Sequence, residues 1–158
     1  MDLVLKSESP ERTLALGMAI GAALSPGDVV CLDGELGTGK TVLVRGMAKG
    51  RGYSGAVTSP TFTMIHTYPD ANLCHVDAYR LENGDQLLET GIDDYLDGSW
   101  VCAVEWAERV RSALPEKSLT VKLVFGKAEN DRMITVRETG GWDGRLAGLI
   151  KELLRNGG

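Results

Sequence analysis

The 158-residue chain has no Cys-x-x-Cys pair, only two histidines, and no uninterrupted apolar window of the ~18 residues that a membrane span takes. The first absence argues against a zinc ribbon or a redox dithiol. The last argues against a membrane as partner, and the amino-terminal "MDLVLKSESPER" has no charged segment followed by an apolar one, so a cytoplasmic protein is expected. Basic residues are not in excess either. Seventeen Lys and Arg against 22 Asp and Glu leave a net charge of −5, so the molecule as a whole does not attract nucleic acid. Missing too are the N-K-x-D and D-x-x-G patterns of a guanine-specific site and the LSGGQ-like segment of ABC-type ATPases.

What is there is the composition of one compact domain, 43% hydrophobic and 25% charged. Cys31, Cys74 and Cys102 each lie in an apolar run and read as buried reduced thiols. "DLVLKS" alternates as a short strand. Ser9 and Pro10 read as the N-cap and first position of a helix whose buried stripe is Leu16, Ile20, Ala23 and Leu24. "VVCLD" is a continuous apolar run, the pattern of a parallel strand covered on both faces. A glycine-rich loop and a helix from about Thr41 follow.

Further along, "TSPTFTMIHTY" turns and then runs extended, "NLCHVDAYRL" and "WVCAVEW" read as strands, and "DQLLETGIDDYLDG" is partly helical. "AERVRSAL" predicts a short helix stopped by Pro115. "LTVKLVFG" and "RMITVRETG" alternate at period two and predict a hairpin pair at the sheet edge. Leu146, Leu149, Ile150, Leu153 and Leu154 stripe a last helix. The expected architecture is a single α/β domain over residues 1–158, a P-loop NTPase fold with a mixed, mainly parallel central sheet flanked by helices.

The chemistry concentrates in "GELGTGKT", residues 34–41, where Gly34, Gly39, Lys40 and Thr41 satisfy G-x-x-x-x-G-K-[ST] between an apolar strand and a helix. Glycines let the backbone curl so that successive N–H groups face inward, onto a helix start that carries partial positive charge. Lys40 is then expected to reach the β- and γ-phosphates of a nucleotide, and the Thr41 hydroxyl to enter the shell of Mg²⁺. Such a site also needs a carboxylate at a neighbouring strand end. Glu105 of "VCAVE" is preferred on the metal side, and Asp77 of "LCHVD" as a second acidic group that holds a metal-bound water or positions the attacking one. In "TSPTF", the hydroxyls of Ser59 and Thr61, and of Thr63 beyond it, are candidate γ-phosphate contacts; a plain turn explains the same residues. Trp106 is either beside the site or in the core. His66 and His75 have no acid–base partner in sequence and read as packing or hydrogen-bonding residues.

With guanine motifs absent, ATP is the expected nucleotide. A small-molecule kinase is the alternative, although Arg109 and Arg111 are the only nearby pair that an arginine-bearing lid could use.

"GELGTGKT", "TSPTFTMIHTY", "HVDAYRL", "GIDDYL" and "VEWAER", in that order, resemble the TsaE family of bacterial ATPases, formerly YjeE, over roughly residues 9 to 109. The resemblance implies a Mg²⁺-dependent ATPase needed to form N6-threonylcarbamoyladenosine at position 37 of tRNAs that read ANN codons. It would act with the TsaB–TsaD pair to permit turnover and reach tRNA through that complex. Carried over by residue, Gly34, Glu35, Leu36, Gly37, Thr38, Gly39, Lys40 and Thr41 hold the phosphates, with Lys40, Asp77 and Glu105 as catalytic groups and Thr41 and Glu105 as the Mg²⁺ ligands. Thr61 belongs to the switch-like segment, and Glu11 and Thr13 to the stretch near adenine. Val42 stands where the family commonly has a second threonine, so its backbone N–H remains for the α-phosphate without a hydroxyl. "VDAYR" replaces the family's "FDLYR" and leaves Asp77 and Arg80 in place. No obvious arginine finger follows the loop, which predicts slow hydrolysis alone and faster hydrolysis with a partner; Arg80 and Arg109 are the candidates within the chain.

Overall fold

A computed structural model describes residues 2–58, 64–140 and 145–157. The chain runs through β1 (Asp2–Ser7), α1 (Pro10–Ala23), β2 (Val29–Gly34), α2 (Lys40–Gly50), β3 (Ile65–Tyr68), β4 (Leu73–Asp77), α3 (Gly84–Leu88), β5 (Val101–Glu105), β6 (Ser118–Phe125), β7 (Arg132–Thr139) and α4 (Arg145–Gly157). Ser9 caps α1 by accepting the Arg12 N–H at 3.1 Å, and Pro10 opens the helix, where its missing N–H costs nothing. "AERVRSAL" forms two 3₁₀ turns within Ala107–Ala113, separated by a kink at Val110. "DQLLETGIDDYLDG" supplies α3, capped by Asn83, and a 3₁₀ turn over Ile92–Asp94.

The seven strands are ordered β1-β7-β6-β2-β5-β4-β3. The central four, β6, β2, β5 and β4, are mutually parallel, and β7, β1 and β3 extend the sheet antiparallel. The expected hairpin of β6 and β7 exists but does not form the edge. β6 pairs in parallel with β2, and β1 covers β7 from Asp2↔Arg137 to Ser7↔Arg132. Period-two alternation tells which side chains share a face; it does not tell which strand is outermost.

That alternation divides the core in two. Val30, Leu32, Leu73, Val101 and Ala103 pack under α1, α2 and α4, with Leu16, Ile20, Leu43, Met47, Leu149 and Leu153. Val29, Cys31, Cys74, Val76, Cys102 and Val104 face Leu87, Ile92, Ala107 and Val110 on the other side. Leu24 is buried with the first cluster and Ala23 only partly; the side chains of Leu146, Ile150 and Leu154 lie outside the described set. All three cysteines are free and buried, and Cys74 sits in register beside Cys102. Arg145, at the start of α4, bonds both oxygens of buried Asp28 at 2.7 and 2.5 Å and the Ala23 carbonyl at 2.9 Å, which ties the last helix to the turn after α1. Among the described residues no helix is long and apolar enough to cross a membrane.

α1 and α2 meet backbone to backbone. A Cβ on Gly17 would come within 2.3 Å of the Leu43 carbonyl oxygen, and one on Gly46 within 2.2 Å of the Leu14 carbonyl oxygen. Neither helix has room to retreat, since both press on the sheet. Gly46→Ala should therefore cost roughly 1–3 kcal/mol as overpacking, read as a lower urea midpoint. Gly148→Ala, at an exposed position of α4 with nothing within 4 Å of the new Cβ, should be neutral or stabilising. The gain there is at most about 1 kcal/mol of helix propensity. Equal effects at the two glycines would contradict the close approach.

Candidate active site

β2 ends at Gly34 and α2 begins at Lys40, and the loop between them turns through positive φ at Gly37 (84°) and Gly39 (107°). Gly39 sits at the N-cap without a side-chain cap, so the first N–H groups of an 11-residue helix have no side-chain oxygen in front of them. The Thr38 hydroxyl stitches the loop by donating to the Glu35 carbonyl at 2.8 Å. Lys40, only 5% exposed, donates to the carbonyls of Gly34 (2.5 Å) and Glu35 (3.0 Å), and its ammonium lies 4.1 Å from the centre of the Trp106 ring. From outside, the first residue of β7 holds the same loop. Arg132 donates to the carbonyls of Thr38 (3.0 Å) and Gly37 (3.3 Å), and its guanidinium stacks on Phe125.

The adjacent strand ends bring two carboxylates to this point, because Asp77 of β4 is in register with Glu105 of β5. Alternation puts both, with His75, on the face that α2 covers. Glu105 is 4% exposed and bonds the Nε2 of fully buried His75 through Oε2 at 2.5 Å. The Thr41 hydroxyl stands 3.4 and 3.3 Å from its two oxygens. These are hard oxygen donors set side by side, a set that fits Mg²⁺, which takes few protein ligands and fills its octahedron with water and phosphate oxygens. Asp77 accepts the Tyr79 N–H at 2.9 Å. Burial, joined by the charge of Glu105, pushes its carboxyl above the ordinary range, against the Tyr79 N–H, His75 and Lys40. Burial likewise lowers the Lys40 ammonium, and Glu105, Glu108, Asp77 and Asp33 oppose that shift.

Trp106, directly after Glu105, is in the left-handed region at φ 59° and carries its indole across Lys40, beside Tyr79 and Arg109. A hollow of about 140 Å³ is lined by Leu36, Gly37, Lys40, Thr41, Asp77, Tyr79, Glu105 and Trp106. On the other side of the loop a second, of about 120 Å³, is lined by Ser9, Pro10, Thr13, Gly37, Thr38, Gly39, Val42, Asn130 and Arg132. Thr13 is thus at the loop, held by a 2.8 Å bond to Ser7. Glu11 is exposed on the first turn of α1 and does not line this hollow. Ser59, Thr61 and Thr63 lie outside the described residues. Arg109 is committed to the rings of Trp106 (5.2 Å) and Tyr79 (5.3 Å), and Arg80 is exposed.

Sequence reasoning missed several members. His75 interrupts an apolar run and carries no partner signal until β4 and β5 are aligned. Asn130 and Arg132 approach the loop across more than ninety residues of chain. A larger cavity of about 600 Å³ adjoins the loop, with Asp33, Glu35, Trp106, Glu108, Lys122 and Phe125 among its lining. There Asp33 accepts from Arg111 at 3.1 Å. Partial burial, then a hydrogen bond shared with Asp33, pushes the Glu108 carboxyl up to about 6.

Comparison with known proteins bears on this geometry. The profile of the family described as "Threonylcarbamoyl adenosine biosynthesis protein TsaE" matches residues 7–134. The tRNA threonylcarbamoyladenosine biosynthesis protein TsaE of Bacillus subtilis is 38% identical over 153 residues, spanning 96% of this chain and 93% of that protein. The protein of the same name from Treponema pallidum is 40% identical over 131 residues, 82% of this chain and 96% of its own length. The crystal structure of Bacillus subtilis YdiB superposes with a TM-score of 0.79 at 34% identity, covering 98% of this chain and 95% of that one.

Glu108 offers a test of the local electrostatics. Its native carboxyl keeps its proton to a higher pH than the ordinary value of 4.5, so between about 4.5 and 6 the folded chain binds more protons than the unfolded one. The contribution of this group to stability therefore falls as pH rises through that window. A ¹³C carboxyl titration should find its midpoint near 6. In Asp33→Ala that midpoint should move partway down, since partial burial remains. An unmoved midpoint would exclude the shared hydrogen bond.

Proposed function

The chain belongs to the TsaE family, and we propose that it serves tRNA threonylcarbamoyladenosine biosynthesis as a single-domain, cytoplasmic P-loop NTPase that binds and hydrolyses ATP. The observation that carries the ATPase reading is the convergence of Lys40, Thr41 and buried Glu105 on one uncapped helix start. Loop N–H groups from Gly34 to Thr41 take the phosphates, with the Val42 N–H beyond them. Lys40 exchanges two neutral carbonyl partners for phosphate oxygens, a charge-assisted and stronger pairing. The adenosine end is directed toward the hollow of Ser9, Thr13 and Arg132.

Thr41 and Glu105 would hold Mg²⁺, which when bound would supply charge neutralisation to the phosphates. Asp77, beside Glu105 and with its carboxyl raised by burial, orients the attacking water and accepts its proton. Of the two arginines named as candidate fingers, Arg109 is stacked on aromatic rings and Arg80 is exposed. That supports slow hydrolysis alone and stimulation by the TsaB–TsaD pair, through which tRNA is reached.

The decisive experiment is reconstitution of the modification at position 37 of an ANN-reading tRNA with and without this protein, with ATP turnover followed in parallel. TsaB–TsaD should raise turnover, up to the ~10³–10⁵-fold that a supplied arginine finger gives in such enzymes. Glu105→Gln should retain ATP and hydrolyse it about 10²–10³-fold more slowly, and modification should stall. Unchanged turnover with no complex would overturn the proposal. Phosphate transfer to a small metabolite, with no ATP lost in its absence, would replace it by a kinase.

A further inference from the structure

We propose that His75 is a positioning residue for Glu105: its Nε2–H holds carboxylate oxygen Oε2 so that the other oxygen is presented, beside the Thr41 hydroxyl, to the metal. This rests on the ATPase reading above and adds a group that the reading does not contain.

His75 occupies the middle of β4, fully buried, where every other residue before Asp77 is apolar. An imidazole there is costly unless bonded. Its described hydrogen bond is to Glu105 Oε2 at 2.5 Å, and among the described residues Nδ1 has no partner. The pairing decides the tautomer. Ionised Glu105 only accepts, so Nε2 is the nitrogen that carries hydrogen toward it. Hydrogen on Nδ1 would be a buried donor without an acceptor, whereas a bare Nδ1 lone pair is the less costly orphan.

The consequence falls on the carboxylate. Thr41 Oγ1 is 3.4 and 3.3 Å from the two oxygens and so does not choose between them. Asp77 is turned away to the Tyr79 N–H, and Lys40 is engaged with the Gly34 and Glu35 carbonyls. Among the described residues, His75 is the side chain whose bond singles out one Glu105 oxygen at short range, and it does so from inside the sheet, fully buried. Without it the carboxylate would have to be ordered when the metal arrives. Outer hydrogen bonds of this kind typically change metal affinity by about 10–100-fold when removed.

The test uses the full chain with a non-hydrolysable ATP analogue and Mn²⁺ as an EPR-visible stand-in for Mg²⁺. His75→Met fills the volume without a donor, and His75→Gln keeps an N–H at similar reach. His75→Met should weaken Mn²⁺ binding to the nucleotide complex about 10–100-fold and leave metal-free nucleotide affinity unchanged, while His75→Gln returns to within a few-fold of the parent. Equal losses in both variants, or a loss in neither, overturn the proposal. Should His75→Met not fold, ¹⁵N NMR of the unmodified protein decides. Hydrogen on Nε2, with that resonance moving on Mg²⁺–nucleotide binding, supports the role; hydrogen on Nδ1, or an Nε2 signal indifferent to metal, overturns it. Failure of the unmodified protein to bind Mn²⁺ with nucleotide would instead sink the ATPase reading.

Discussion

Glu105 ends a strand whose four preceding residues are fully buried, and a carboxylate in that position has to be bonded on every side or not be there. Most of the site can be read as the answer to that demand. β5 runs parallel between β2 and β4, so all three strands end on the same side of the sheet. The phosphate loop leaves β2 there, and Asp77 and His75 arrive on β4. Thr41 comes from above on α2, the helix whose Gly46 lies against the backbone of α1.

The sheet also sorts the acidic groups. His75, Asp77 and Glu105 fall on the α2 side, whereas Asp33, at the end of β2, falls on the other with Glu108 and Arg111. Lys40 stands between the two sets and feels all four carboxyls, which offsets the loss of water around its ammonium. Trp106 is the link across the sheet end. It lines both the small hollow with Asp77 and the large cavity with Glu108. A left-handed backbone at a non-glycine residue costs about 1–3 kcal/mol, and here it is what turns the indole over Lys40.

Local patterns made part of this legible in the sequence. Ser9-Pro10, the run "VVCLD" and the loop "GELGTGKT" each specify their structure from neighbouring residues alone, and the apolar runs before Asp77 and Glu105 place carboxylates at strand ends. Facts of register were not legible. β1 covers β7 by pairing residues more than 120 positions apart, and nothing in either strand's alternation announces it. His75 looks like a flaw in an apolar strand until the β4–β5 alignment puts it one residue pair below Glu105. Arg132 reads as the start of an edge strand, although its guanidinium is a brace for the loop. The "SPTF" segment, which carried much of the resemblance, lies outside the described residues, so its part in the site rests on sequence.

Side chains hold the loop from several directions. Thr38 closes it from within, Arg132 braces it from outside, and Lys40 bonds two of its carbonyls while resting against Trp106. A loop in that state need not fold around a nucleotide, so little ordering entropy opposes binding. Phosphate oxygens in place of those two carbonyls would give Lys40 a charge-assisted pairing. That ammonium lies against Trp106, and Trp106 in turn holds Arg109 and lines the larger cavity. A displacement of Lys40 would therefore be felt outside the small hollow that it lines. One indole makes that connection between the two hollows.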